Sequence, residues 1–236
     1  MKKILITGAS KGIGRQLVLY FAAQKDTEIL AIARNQVALD KLAKECQDNY
    51  DKKIITCTQD LSHLNYTPHL VHALAHWKQV DIAIANAGFL LNKPFLETTD
   101  SEWSHMLDNN LGSNIRLLRL LFPYLKRSEE SHVVLIGSMG GVQGTRKFSG
   151  LSAYSVAKGA LAVLTECLAE EWKKESIKVN CLCPGAVDTE MLRAAFPGYE
   201  APVSAKQMAN FIGHFASNAH QVMNGKILQV ALSDPE

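Results

Sequence analysis

The sequence predicts an α/β protein: a doubly wound, mostly parallel sheet of seven strands with helices on both faces. Three observations carry that prediction. Short runs rich in Ile, Val, Leu and Ala recur at residues 3–7, 28–33, 54–58, 81–85, 132–137, 177–182 and 226–230, separated by longer segments of helical periodicity. The runs are continuously apolar rather than alternating, so both faces of each strand require cover, as in a parallel sheet between helix layers. The first run ends in a glycine turn that leads directly into a helical pattern at Leu17, Val18, Phe21 and Ala22, the strand, turn and helix that open a doubly wound sheet. No internal repeat, low-complexity tract or linker interrupts the series, so residues 1–236 read as one domain.

Composition narrows the function classes. With 47% hydrophobic and 20% charged residues the chain has the balance of a globular protein, which excludes disorder and collagen-like repeats. Lys and Arg number 25 against 23 Asp and Glu, and no basic stripe gathers the net +2, so no nucleic-acid partner is expected. The five cysteines, Cys46, Cys57, Cys167, Cys181 and Cys183, are an odd number in a chain long enough to do without staples, which points to a reducing, cytoplasmic compartment. The basic start at Lys2 and Lys3 precedes an apolar run that stops at Thr7-Gly8, too short for a signal peptide. No stretch approaches the about 20 apolar residues of a membrane span.

Taken in chain order, the elements present polar residues at the strands' C-terminal ends, the ligand side of such a sheet. After the first run comes T-G-A-S-K-G-I-G, residues 7–14. Gly8 turns the chain sharply, Gly12 admits close backbone approach by a ligand, and Gly14 lets the helix pack close to the sheet; Ser10, Lys11 and Ile13 complete the loop. The free N–H groups of that helix would face a pyrophosphate. A ligand-free β-α turn uses the same residues, but this position favours dinucleotide binding of the Rossmann type. The second run ends at Ala33-Arg34, the third is followed by Asp60-Leu61, and the fourth by Asn86-Ala87-Gly88. Ser138 closes the fifth. Tyr154 and Lys158 lie one turn apart in a segment, residues 152–172, that reads as a long helix. By spacing alone such a pair is most often a surface pair. A lysine cation at about 4 Å would contribute roughly 4 kcal/mol to the phenolate at an effective dielectric of 20, making Tyr154 a usable acid/base near neutral pH.

The G-x3-G-x-G spacing, with Asn86-Ala87-Gly88, Tyr154-Ser-Val-Ala-Lys158 and Pro184-Gly185 following in order over nearly the whole chain, resembles the short-chain dehydrogenase/reductase family. The resemblance implies hydride transfer between a nicotinamide and a small-molecule carbonyl or alcohol. Tyr154 would then give the proton, Ser138 would polarise the substrate oxygen, and Lys158 would also hold the nicotinamide ribose. Asn110, opening Asn-Leu-Gly thirteen residues before Pro123, resembles the family's asparagine that holds a water beside the lysine. Val187 and Thr189 would join Pro184 and Gly185 against the cofactor, and Asp60-Leu61 resembles the pair that contacts adenine. The expected cofactor is NADP(H): Ala33 stands where NAD-specific members carry an acid, while Arg34 and Lys11 offer cations to a 2′-phosphate. From Ser138 to Tyr154 is 16 residues, roughly three more than the family's spacing, a length a surface loop absorbs at little entropic cost.

The expected substrate walls are the loop after Ser138 (Met139, Gln143, Phe148), Phe89 and Leu90, and a short lid after Thr189 (Met191, Leu192, Phe196, Tyr199). These are apolar and bulky, and the short lid argues against a steroid-sized enclosure. Arg146 and Lys147 suit either an acidic carrier protein or a solvated loop. Residues 117–122 and 156–168 are apolar almost all round, which, with the family's habit of pairing these helices, implies a homodimer or homotetramer. His69, His72 and His76 share a helical face, but no carboxylate or cysteine completes a set, so no metal is expected. Cys181 and Cys183 read as core, and the charge clusters at 44–53 and 126–130 as solvated surface. A non-catalytic NADP(H)-binding redox sensor would need the glycine loop but not Asn110, Ser138, Tyr154 and Lys158; an isomerase or dehydratase is a third possibility on the same fold.

Overall fold

The computed structural model describes residues 1–63 and 68–232, excluding the side chain of His69. In chain order the elements are β1 Lys2–Thr7, α1 Gly12–Ala22, β2 Thr27–Ala33, α2 Gln36–Tyr50, β3 Ile55–Thr58, α3 Pro68–Ala75, β4 Ile82–Ala85, α4 Asp100–Leu107, α5 Ser113–Leu125, β5 Ser131–Ile136, α6 Ser152–Glu171, β6 Ile177–Pro184, β7 Val187–Asp188, α7 Glu190–Ala195, β8 Val203–Ser204, α8 Ala205–Asn218 and β9 Ile227–Val230. Each of the seven apolar runs forms a strand. They assemble in the order β3-β2-β1-β4-β5-β6-β9, parallel throughout. The order reverses between β1 and β4, which opens a crevice at their C-terminal ends. A two-residue pair, β7 with β8, stands apart from this sheet.

The strand alternation explains why the runs are apolar throughout. Along β1, Ile4 and Ile6 join one buried cluster with Leu17 and Phe21 of α1, Leu39 and Leu42 of α2, and Ile212 of α8. Leu5, between them, joins the opposite cluster with Leu70 and Leu74 of α3, Leu117 and Leu121 of α5 and Leu161 of α6. The helices start at local signals: Asn35 caps α2 by accepting from the Ala38 N–H at 3.0 Å, and Thr99 with Glu102, and Ser204 with Gln207, form reciprocal capping boxes on α4 and α8. The start of α1 differs. Its cap residue, Lys11, is extended and makes no side-chain capping bond, which leaves the first-turn N–H groups facing the crevice.

Between α4 and α5 the rod stays helical but passes through a π turn, Asp108–Gly112, an insertion of the kind that recurs at functional sites. Leu117, Leu118, Leu121 and Leu125 of α5 are buried within the chain, so much of the apolar surplus read from residues 117–122 is used against the sheet. On α6, Val156 and Val163 remain 53% and 58% exposed.

At the opposite end from the crevice, β5 carries a fully buried histidine, His132. Its Nδ1 lies 2.9 Å from the Ala216 carbonyl and its Nε2 2.9 Å from the Asn180 side-chain amide. A carbonyl only accepts and an amide N–H donates, so the ring is the neutral tautomer with its proton on Nδ1. Burial holds its pKa down to about 4.

Candidate active site

The crevice is braced first by bonds between side chains and backbone. The Thr7 hydroxyl accepts from the N–H groups of Asn86 at 3.0 Å and Ala87 at 2.9 Å, and the Asn86 side chain donates to the Thr7 carbonyl at 3.0 Å. These bonds join the C-terminal ends of β1 and β4 where the strand order reverses. Gly12 has φ +53°, and a Cβ there would lie 3.3 Å from Thr189 and 3.6 Å from the Glu190 carboxylate, so the start of the lid lies across the glycine loop. At Gly14 a Cβ would come within 2.2 Å of the Gly8 carbonyl. It would also come within 2.6 Å of Asn86 Nδ2, so Gly14 lets α1 start close against the ends of β1 and β4.

A cavity of about 910 Å³ runs from this loop across the sheet's C-terminal edge. Of the residues singled out from sequence, Gly8, Ser10, Lys11, Gly12, Ile13, Arg34, Asp60, Leu61, Asn86, Ala87, Gly88, Ser138, Tyr154, Lys158, Pro184, Gly185, Val187 and Thr189 all line it. Gly14 and Asn110 do not. Asn110 is fully buried in the π turn; its amide donates to the carbonyls of Phe89 at 2.8 Å and Met106 at 3.0 Å, and its Oδ1 accepts from the Phe89 N–H at 3.1 Å. It sits behind Gly88, where a Cβ would meet Asn110 Oδ1 at 2.9 Å and Lys158 Nζ at 3.4 Å. Its side chain is therefore spent on the backbone of Phe89 and Met106, next to Lys158. Its neighbour Asn109 reaches the cavity wall instead.

Leu90, Phe148, Met191, Leu192, Phe196 and Tyr199 form the expected apolar wall. Met139 is buried, Gln143 is exposed, and Phe89 packs edge-on against His105 with ring centroids 5.0 Å apart; none of the three is on the wall.

Strand β5 ends at Ile136, and Ser138 caps the short turn Met139–Gly141 that follows, its hydroxyl accepting from the Gly140 N–H at 3.3 Å. Tyr154, in the first turn of α6, is hydrogen-bonded to Ser138. One turn on, Lys158 Nζ donates to the Ile136 carbonyl at 2.7 Å and lies 5.8 Å from the centre of the Tyr154 ring. Beneath them Cys181 and Cys183 are buried, their sulfurs 3.7 Å apart, as core residues. At the other end of the cavity Arg34 extends to Asp60 at 3.8 Å. Burial pushes the Asp60 carboxyl up, but two bonds from Ser62, with Arg34 and His63 nearby, outweigh it and hold the group below its usual range.

Residues 2–200 match the family model of the short chain dehydrogenases. The chain belongs to that family. It is 26% identical over 239 residues to the 3-oxoacyl-acyl-carrier-protein reductase of Escherichia coli, covering 97% of this chain and 95% of that protein. Its backbone superposes on a short chain dehydrogenase from Salmonella enterica serovar Typhi with a TM-score of 0.87 at 26% identity, over 97% and 95% of the two chains. A short chain dehydrogenase from Shigella flexneri, solved with NADP, gives 0.88 at 23% identity over 97% and 96%; at that identity it shares the fold.

In this short-chain dehydrogenase the electrostatics of the pair run opposite to the expectation from spacing. Burial pushes the Tyr154 phenol up to about 12, with the Ser138 hydrogen bond opposing and Cys183 adding to the rise. Burial pushes Lys158 down to about 8. Burial sets the direction for the phenol while Lys158 Nζ is turned toward the Ile136 carbonyl, so Tyr154 is a neutral phenol at neutral pH. A near-ultraviolet titration of the protein without added cofactor, compared with Tyr154→Phe, is expected to show no extra phenolate below about pH 11. Phenolate at neutral pH would contradict this account.

Several wall residues of this dehydrogenase carried no sequence signal: Asn35, Gln59, Leu151 and Glu190 line the cavity without belonging to any motif. The ties around the lid were equally silent. Thr189 caps α7 by accepting from the Leu192 N–H at 3.2 Å, Asn92 donates to the Ala195 carbonyl at 3.0 Å, and the Lys93 N–H donates to the Gly150 carbonyl at 2.9 Å. His72 and His76 do face each other, with Nε2 atoms 3.3 Å apart; the His69 side chain lies outside the described residues, among which no group of three or more His, Cys, Asp or Glu is placed to hold a metal. No described helix is long and apolar enough to cross a membrane.

Proposed function

We propose that this oxidoreductase uses NADP(H) to interconvert a carbonyl and its alcohol, with Tyr154 as the acid/base, and that residues 1–236 form one catalytic domain working in the cytoplasm. The observation that carries the reading is the convergence of Ser138, Tyr154 and Lys158 on a cavity they share with the glycine loop. The cradle fits a dinucleotide: the uncapped start of α1 faces it, Gly12 leaves the backbone open, and Lys11 and Arg34 stand at its far end. The residues that would hold the cofactor are those of the glycine loop, Asp60, Asn86 to Gly88, Lys158, and Pro184 to Thr189.

When bound, the nicotinamide supplies or accepts the hydride. The chain's own residues do the rest. Ser138 donates a hydrogen bond to the carbonyl oxygen and stabilises the charge that gathers there. Tyr154, a neutral phenol, gives its proton to that oxygen in the reducing direction, and Lys158 favours the phenolate that remains. Asn110 braces the Gly88–Phe89 backbone against which Lys158 packs. Complexes of structural neighbours with NADP and NADPH support the cofactor, as does Arg34 in place of an acid.

A panel of ketones, aldehydes and 3-oxoacyl thioesters is expected to draw NADPH consumption in at least one member. If NADPH binds and no carbonyl is turned over, the site is that of a sensor. We also propose a homodimer through α5 and α6, supported by the exposed Val156 and Val163 on one face of α6. Light scattering at micromolar concentration is expected to give twice the chain mass; a monomer would end that proposal.

A further inference from the structure

The cavity has two chemically distinct ends. Its charged wall residues are Lys11, Arg34, Asp60, Glu190 and Lys158. The first three stand at the glycine loop and beyond the ends of β2 and β3, Glu190 lies against Gly12, and Lys158 is turned to the Ile136 carbonyl. The apolar part of the described wall includes Leu90, Phe148, Leu151, Met191, Phe196 and Tyr199, with no charged side chain among them; the Arg146 guanidinium lies 5.8 Å from the centre of the Phe148 ring. Three separate segments contribute these residues, and they are fastened to one another at a single junction. Asn92 bonds to the end of α7 and Lys93 to Gly150, while a Cβ on Gly150 would lie 2.0 Å from Asn92 Oδ1. The apolar compartment is thus bounded on three sides by segments that are tied together.

We propose that the substrate is an uncharged ketone or aldehyde whose larger substituent is an alkyl or aryl group, seated in this compartment. The proposal rests on the carbonyl-reducing reading above and names its substrate class. A carboxylate, phosphate or polyol against these side chains would lose its water and find no charged partner among them. An alkyl group instead gains with each methylene removed from water.

The test uses the wild-type protein saturated with NADP⁺. A ketone and an oxidised cofactor cannot react, so affinity is read without turnover. By calorimetry, the dissociation constants of 2-butanone, 2-pentanone and 2-hexanone are expected to fall about fourfold per added methylene, and Phe148→Ser, on an exposed loop, to flatten the series. Fructose is expected to bind more weakly than 2-butanone. A flat series, or fructose binding as tightly as 2-hexanone, overturns the proposal. The two readings fail separately. If the alkanones bind with the expected slope but none oxidises NADPH, the apolar compartment stands and carbonyl reduction falls. If NADPH is consumed with ketoses alone, reduction stands and the apolar substrate falls.

Discussion

Tyr154→Phe is expected to lower kcat by about a thousandfold while leaving the NADPH dissociation constant within about twofold of wild type, since a positioned general acid contributes roughly 10² to 10⁴ in rate. The phenol oxygen is the group at issue: its partner is the Ser138 hydroxyl, and the ring that carries it is kept by phenylalanine. Because burial holds the phenol near 12, the proton is present across the neutral range, and reduction should not be limited by its loss there. Stopped-flow turnover and cofactor fluorescence on the same preparation separate the two effects. Activity within tenfold of wild type would remove Tyr154 from the chemistry.

The second large effect is on the cofactor. Ala33→Asp combined with Arg34→Leu is expected to reverse the preference from NADPH to NADH. Ala33 lines the cavity with only 6% of its surface exposed, so in the proposed cofactor mode an acid there would bind the adenosine ribose hydroxyls and repel a 2′-phosphate. Arg34 is the more exposed partner, with 62% of its side chain in solvent and Asp60 at 3.8 Å, so its proposed grip on the phosphate would be shared and screened. One surviving charge-assisted bond, at about 1.5 to 3 kcal/mol, still gives tenfold or more at about 1.4 kcal/mol per decade. Dissociation constants for both cofactors at one ionic strength decide it: equal values on the wild type would show that residues 33 and 34 do not select.

The strands were legible because a parallel sheet buries both faces, and the alternation of Ile4, Leu5 and Ile6 between two clusters is what an unbroken apolar run means. The motif residues were legible because the crevice lies where strands end. What could not be read depends on distances across the fold. Asp108 to Gly112 has no composition that announces a π turn, and that turn is what rotates Asn110 behind Gly88. The strands β7 and β8 have two residues each, below any periodicity. The sign at Tyr154 needed the depth of the site and the direction of Lys158, and the lid's tie through Asn92 joins residues 103 positions apart.

The neutral imidazole of His132 makes this enzyme sensitive to acid at a point remote from its chemistry. Unfolded, that ring takes a proton near pH 6.5; folded, it resists until about 4, because burial disfavours the cation and outweighs the bond to the Ala216 carbonyl, which favours it. Between those values the unfolded chain binds the extra proton, so stability falls as pH falls, by about 3 kcal/mol across the window. Protonation of Nε2 would set two donors against each other at Asn180 and loosen the seam between β5, β6 and α8. The shift is expected as a lower urea midpoint at pH 5 than at pH 7, smaller in His132→Gln. The scaffold would then weaken in mild acid while its catalytic groups keep their charge, with His132 acting as a hinge pin remote from the chemistry.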